Sequence, residues 1–254
     1  MTDSTVVAAF QSLGLQGLVD AARKLGLNYQ FLLDAYQRGN LIEGAQTTLY
    51  LCVLTIVGSL LAGVGLAAAM SSGKRWLALP ARVFIEVTRN TPTLVQLYCA
   101  FLVLNMLLNQ AVGAANPLTP FAWVVIVISL HKGAFHAESL RSGIEAVPAV
   151  TVEAASSLAF DRRQLLWNVQ LPLAVRFALP ALVNNLIDLV KMTAVASAIA
   201  VNDITYASIM IWTQSDNVIE LMILMLSFFG LLSFLVNCAG RALEKRLRMP
   251  GYGH

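Results

Sequence analysis

Hydrophobic residues in this chain come in long unbroken runs rather than in the short alternating or 3.6-residue patterns of a soluble fold. No charged residue occurs from Gly44 to Gly73, from Thr91 to His131, from Phe177 to Ile187 or from Leu221 to Gly240. A helix crosses the hydrocarbon core of a bilayer in about 20 residues, so these runs predict membrane-spanning helices. The first covers about Ala45 to Met70. The run after Thr91 is too long for one helix and contains "LNQAVGAANPLTP", rich in Asn, Gly and Pro. That stretch reads as a turn and divides the run into spans at about Leu94–Leu107 and Phe121–Gly133. A fourth span runs from about Phe177 to Val201, and a fifth from Val218 to Cys238. The expected fold class is an all-α integral membrane protein with about five transmembrane helices.

Composition supports this reading. Of 254 residues, 57% are hydrophobic and 12% charged, about half the charged fraction usual in soluble domains, and the mean hydropathy is +0.70. Cys52, Cys99 and Cys238 each fall inside an apolar run without pairing or ligand spacing, so they read as small buried hydrophobes. The N-terminus lacks a basic region and a long apolar stretch, unlike a cleaved signal peptide.

The distribution of Lys and Arg predicts orientation. Lys74, Arg75, Arg82 and Arg89 follow the first span; Lys132, Arg141, Arg162, Arg163 and Arg176 follow the third; Arg241, Lys245, Arg246 and Arg248 follow the fifth. Residues 108–120 and 202–217 hold neither Lys nor Arg. The positive-inside rule places the C-terminus in the cytoplasm and the N-terminus outside, with Arg23, Lys24 and Arg38 of the N-terminal arm as exceptions. In the arm, residues 1–40, Val6, Phe10, Leu13, Val19 and Leu25 have the spacing of an interfacial helix; an extension without fixed structure is the alternative.

Residues 148–172 form a long polar insert, assigned by this orientation to the cytoplasm. Pro148 and Thr151 precede the short helical pattern "VEAASSLAF". Asp161 with Gln164 has the form of a capping box, and Leu165, Leu166, Trp167 and Val169 give the second helix an apolar side. Leu171-Pro172 is expected to end that helix and start the next span. Such short helices need a surface to pack on, either the protein's own spans or a partner.

The insert resembles the EAA loop of permease subunits of bacterial ABC importers. Glu153, Ala154, Ala155, Val169, Leu171 and Pro172 match its pattern. Ala159 stands at the family's glycine position, where alanine carries a steric cost for positive φ. Further segments are similar to the polar-amino-acid branch: "LLDAYQRGNLIEGAQTTLYL", "EVTRNTPTLVQLY" with Asn90 in place of Gly, "KGAFHAESLRSGIEAVP" and "LVKMTAVASAI". The resemblance covers most of the chain after residue 27. It implies a type I ABC importer permease fold over residues 41–248 and a location in the bacterial inner (cytoplasmic) membrane. It also implies transport of a polar amino acid or an amino-acid-like compound such as an opine. The EAA loop would be a coupling helix docked on a cytoplasmic ATPase subunit. Glu153 would be the charged contact, and Ala154 and Ala155 would permit close approach. The segment through Ala159 and Asp161 to Leu171-Pro172 would transmit motion.

The chain has no G-x-x-x-x-G-K-[ST] loop, so it is expected to be non-catalytic and without a cofactor of its own, ATP and Mg being bound by the partner ATPase. Other expected partners are a second permease subunit, identical or paralogous, an extracytoplasmic solute-binding protein and membrane lipid; no nucleic acid is expected. Gly58, Ala62, Gly63 and Gly65 give the first span a close-packing face.

Polar groups inside spans usually face a cavity or one another. Asp188 and Lys191 lie three apart and can pair, with Asn184 and Asn185 a turn earlier. The pair is either a contact between helices or a lining of the pathway. Thr91 and Gln96 open the second span. Arg89 reads as an ion pair with Glu86. His131, His136 and Glu138 lack zinc-site spacing, so no metal is expected; His136 suits helix packing or pathway lining. The alternative function is a secondary transporter or channel subunit driven by an ion gradient. A membrane-embedded enzyme would need a catalytic constellation that these residues do not supply.

Overall fold

Each long apolar run folds as a helix, because a backbone in lipid must satisfy its hydrogen bonds internally. A computed structural model describes residues 14–17, 19–113 and 116–247. Val6, Phe10 and Leu13 of the arm lie outside these residues. Five described helices are long and apolar enough to cross a membrane. They are α1 (Ala35–Ser71), α3 (Thr93–Ala111), α4 (Pro120–Glu145), α6 (Leu171–Met192, within the apolar stretch Leu165–Ile199) and α8 (Val218–Leu247). Between them lie α2 (Arg75–Arg89), α5 (Ala149–Ser157) and α7 (Ile204–Trp212). No strand occurs among the described residues.

The helices are longer than the charge-free runs. Helix α1 starts at Ala35, ahead of Ala45, and α8 runs past Cys238 to Leu247. The expected fourth span ends its α-helix at Met192 and continues as a 3-10 segment, Thr193–Ile199, before Ala200 turns the chain at a φ of 57°. Helix α3 runs on through residues 108–111, so the chain leaves the helix later than expected. Gly113 has a φ of 65°, and Thr119 caps α4 by accepting from the Ala122 amide at 3.2 Å, ahead of Pro120 in the first turn.

The chain divides into two compact units, one built from the chain up to Tyr50 with Ala194–Leu231, the other from Leu51–Thr193 with the chain from Leu232 on. The core of the first holds Phe31, Leu41, Ala207, Ile211 and Leu221. Gly44 allows α1 to touch the Asp203 carbonyl, where an added Cβ would sit 2.8 Å away. Thr48 accepts from the Ile204 amide at 3.1 Å, and Asp203 caps α7 by accepting from the Tyr206 amide at 2.8 Å. Val19 is buried and Leu25 is 80% exposed, so the arm's apolar positions do not share one environment.

In the second unit α4 is the central element and packs on α2, α3 and α6. Its contact with α1 is made by small residues. A Cβ on Gly63 would meet the His136 Cβ at 2.6 Å, one on Gly133 would meet the Ala62 Cβ at 2.6 Å, and one on Gly58 would collide with Ser129. Gly143 does the same for α6, against Ala174 and Ala178. The face of α1 expected from Gly58, Ala62 and Gly63 is therefore an internal contact with α4. Gly65 has nothing within 4 Å and is not part of it.

Gly63→Val is expected to lower the thermal midpoint of the detergent-solubilised protein by about 5 °C or more, since overpacking costs about 1–3 kcal/mol. Gly65→Val should change it by less than about 2 °C. Equal shifts would place the close contact elsewhere.

Candidate functional site

Two regions of the second unit carry the expected chemistry: the polar insert and a polar stripe on α6.

In the insert, α5 ends in a Schellman motif. Ala159 adopts a φ of 62°. Its amide donates to the Ser156 carbonyl at 3.0 Å, and the Phe160 amide donates to the Ala155 carbonyl at 3.4 Å. The left-handed turn thus forms with alanine in place of glycine, at a steric cost of about 1 kcal/mol. The capping box also forms, in both directions. The Gln164 amide donates to Asp161 Oδ1 at 2.7 Å and the Asp161 amide to Gln164 Oε1 at 3.0 Å.

The chain does not break at Leu171-Pro172 as expected. Helix Arg162–Gln164 passes into a π turn, Leu165–Gln170, and then directly into α6. Pro172 has no N–H to give to the Asn168 carbonyl, and its ring would crowd that group in a regular helix. The wider π turn lies where this conflict falls. Helix α5 packs against this π turn.

The insert's outer surface mixes exposed apolar side chains with the charged Glu153, Asp161 and Arg163. Glu153 and Ala154 are exposed, as are Val150 at 74%, Leu158 at 73% and Trp167 at 60%. Ala155 is not part of that surface. It is 6% exposed and packs inward, so its small size serves the protein's own packing.

In the membrane-spanning part, Asn184, Asp188 and Lys191 lie four and three residues apart and are all exposed in this subunit, forming one polar stripe on α6. The expected Asp188–Lys191 pair is absent. Asp188 pairs with Lys132 of α4, a residue sequence reading assigned only to the charge count. The acid nearest to Lys132 in space is 56 positions away in sequence, and no local spacing points to it. Asn185 donates to Ser139 Oγ at 3.0 Å, which ties α6 to α4 a turn earlier.

The residues opening α3 form a closed network with His131. Gln96 Nε2 donates to the Thr88 carbonyl at 2.8 Å and to the Thr91 carbonyl at 3.3 Å, which leaves Oε1 as an acceptor. His131 Nδ1 lies 3.0 Å from that oxygen and therefore donates, and Nε2 accepts from Thr93 Oγ1 at 2.9 Å. Gln96 and Thr91 thus spend their polar groups on backbone and His131. His136 is fully buried in the contact with Gly63 and neither ring nitrogen has a partner. It packs helices and does not line an open path.

Arg89 pairs with Glu138 at 3.8 Å rather than with Glu86, whose carboxylate instead accepts from Asn90 at 3.3 Å. Glu138 also accepts from Arg141, which bonds Glu145 in turn. Among the described residues, no cluster of His, Cys, Asp and Glu is arranged to hold a metal.

Comparison with known proteins matches residues 59–249 to the binding-protein-dependent transport system inner membrane component family. The chain is 30% identical to the octopine transport system permease protein of Rhizobium radiobacter, over 77% of this chain and 81% of that one. It is 31% identical to the glutamine transport system permease protein of Escherichia coli, over 82% and 93%. A crystal structure of an amino acid ABC transporter with histidines superposes with a TM-score of 0.75 at 28% identity, covering 87% of this chain and 100% of that one. The inward-facing MetNI methionine ABC transporter shares the fold, with a TM-score of 0.65 at 15% identity.

Two outcomes follow. Ala159→Gly is expected to relieve about 1 kcal/mol, measured as slower hydrogen exchange across residues 149–164. Asp188→Asn is expected to lower the thermal midpoint by about 5 °C or more, because it strands the buried Lys132, whereas Lys132→Met leaves an exposed carboxylate and costs less. The reverse order would mean that Asp188 is the buried partner.

Proposed function

Because the chain belongs to the family of binding-protein-dependent transport system inner membrane components, we propose that it is the membrane subunit of an ATP-driven importer for a polar amino acid or an opine-like derivative. The observation that carries the mechanism is the insert: α5, ended by a strained turn, packs on a helical run that continues without a break into α6, and exposed apolar side chains lie around Glu153. That surface suits the groove of a cytoplasmic ATPase subunit, with Glu153 as the charged contact and Ala154 permitting close approach. Ala159 and Asp161 hold the shape of the docking element. The continuous helix through Leu171 and Pro172 carries its displacement into α6. ATP and Mg belong to the ATPase; this subunit supplies the path and hydrolyses nothing. The insert and the C-terminus then lie in the cytoplasm, and the N-terminus and the α6–α8 connection face a solute-binding protein outside a bacterial inner membrane.

The α6 stripe supports a second permease subunit, identical or paralogous. Exposed Asn184, Asp188 and Lys191 cannot face hydrocarbon without a large cost, so a water-filled path shared between two subunits is their natural environment. Asn184, Asp188 and Lys191 line that path, with Asn185 tied behind them. Thr91, Gln96 and His136 act as the support of this lining through their hydrogen bonds and packing.

Glu153→Arg is expected to abolish co-purification of the ATPase in mild detergent, and with it ATP-driven uptake, while the midpoint of the isolated permease moves by less than about 2 °C. An ATPase retained at wild-type stoichiometry would reject the docking role. Uptake that follows an ion gradient and survives ATP depletion would reject the importer.

A further inference from the structure

The ion pair that anchors the α6 stripe is lopsided. The Asp188 side chain is 58% exposed while its partner Lys132 is 3% exposed. Lys132 therefore reaches Asp188 from behind, out of the α4 contact, with its ammonium 4.9 Å from the centre of the Phe135 ring. Three residues along the same face of α6, Lys191 is exposed and has no acidic partner among the described residues. The next residue, Met192, offers it no acid.

The charges of the stripe can be summed by sign. Asp188 and Lys132 cancel, Asn184 and Asn185 are neutral, and Lys191 remains. Elsewhere in this unit Arg89, Glu138, Arg141 and Glu145 pair among themselves in a separate network, and the further charges of α2 and α6 are Arg75, Arg82, Glu86 and Arg176, none of them among the stripe residues 184–191. In a confined path a single uncompensated charge focuses its field on a charged solute.

We infer that Lys132 is a specificity-determining residue: by cancelling Asp188 from behind, it leaves Lys191 as the net charge of the path, which then favours solutes with more carboxylate than ammonium charge over cationic amino acids. This rests on the reading that the stripe lines the path. Lys132 is buried and touches no solute; it acts through the charge state that Asp188 presents. Selection by charge works against the wrong solute as much as for the right one. An arginine side chain would meet a cancelled carboxylate and a repelling ammonium, and the side-chain carboxylate of glutamate would meet Lys191 alone.

The test uses the permease–ATPase complex purified without its binding protein, with equilibrium binding of radiolabelled L-glutamate and L-arginine at fixed ionic strength. The wild type should prefer glutamate. Lys132→Met should shift the ratio toward arginine by about tenfold or more, and Lys132→Arg should keep the wild-type ratio, which a merely structural defect would not do. Lys191→Met tests the same balance without touching the buried pair and should weaken glutamate binding by about tenfold. A wild type that binds both equally, prefers arginine or binds neither overturns the inference, as does a ratio unmoved by both Lys132→Met and Lys191→Met. ATP-dependent uptake by the same complex, reconstituted with its binding protein, is read in parallel. Uptake that stays ATP-driven while the ratio fails to move rejects this inference alone; uptake that ignores ATP rejects the importer reading itself.

Discussion

Helix α4 can be buried only because its neighbours come to within backbone distance of it. Lipid tails are as apolar as leucine, so a membrane helix gains little by hiding leucines from them. It gains by van der Waals contact over a close, smooth surface. Gly58, Ala62 and Gly63 of α1 meet Ser129, Gly133 and His136 of α4, and Gly143 admits the backbone of α6 at Ala174. The same helix carries His131, Lys132 and His136 into the interior, and burial then sets an electrostatic demand on the helices around it. Asp188 of α6 answers Lys132, and Gln96 and Thr93 of α3 answer His131. Steric closeness and charge compensation thus bind α1, α3 and α6 to one element.

That arrangement gives the insert a mechanical meaning. A hinge at Leu171-Pro172 would let the short helices move without moving α6. The observed path has no hinge there: the capped start at Asp161, the π turn and α6 form one helical run. A displacement applied to α5, which packs on the π turn, reaches α6 as a rigid movement. Helix α6 in turn carries Asp188, and a shift of a few ångströms there changes its distance to Lys132. The proposed docking surface and the charge state of the proposed path are therefore linked through one helix.

The parts of this molecule legible in the sequence are those set by local chemistry. Charge-free runs give the number of spans because insertion depends on composition within about 20 residues. The capping box at Asp161 and Gln164 and the turn ending at Thr119-Pro120 are legible because their partners lie within three residues. Helix ends were less legible. Arg38 and Glu43 lie inside α1 because a helix continues beyond the hydrocarbon wherever caps and packing allow. Helix α2 was missed, although its buried Ala81, Ile85 and Thr88 recur at helical spacing. Helix α7 was missed too, although Asp203 announces it as a cap. The ion pairs were misread for one reason. Asp188–Lys191 and Glu86–Arg89 are the sequence-near choices, and the folded chain prefers Lys132 and Glu138, which tertiary packing alone brings near.

Exposure in this subunit is of two kinds, and they call for different surroundings. Tyr50, Val53, Leu54, Val57, Leu61 and Val64 give α1 an apolar outer side, and Leu231, Phe234 and Leu235 do the same for α8. Such surfaces are at rest in hydrocarbon. The α6 stripe is not, because an exposed carboxylate and an exposed ammonium keep their charge only where water or an opposite charge reaches them. Lys132 supplies the opposite charge for Asp188 from within the subunit. Nothing among the described residues supplies one for Lys191, so this position depends on what lies across the path: water, the proposed second permease, or the carboxylate of the transported solute.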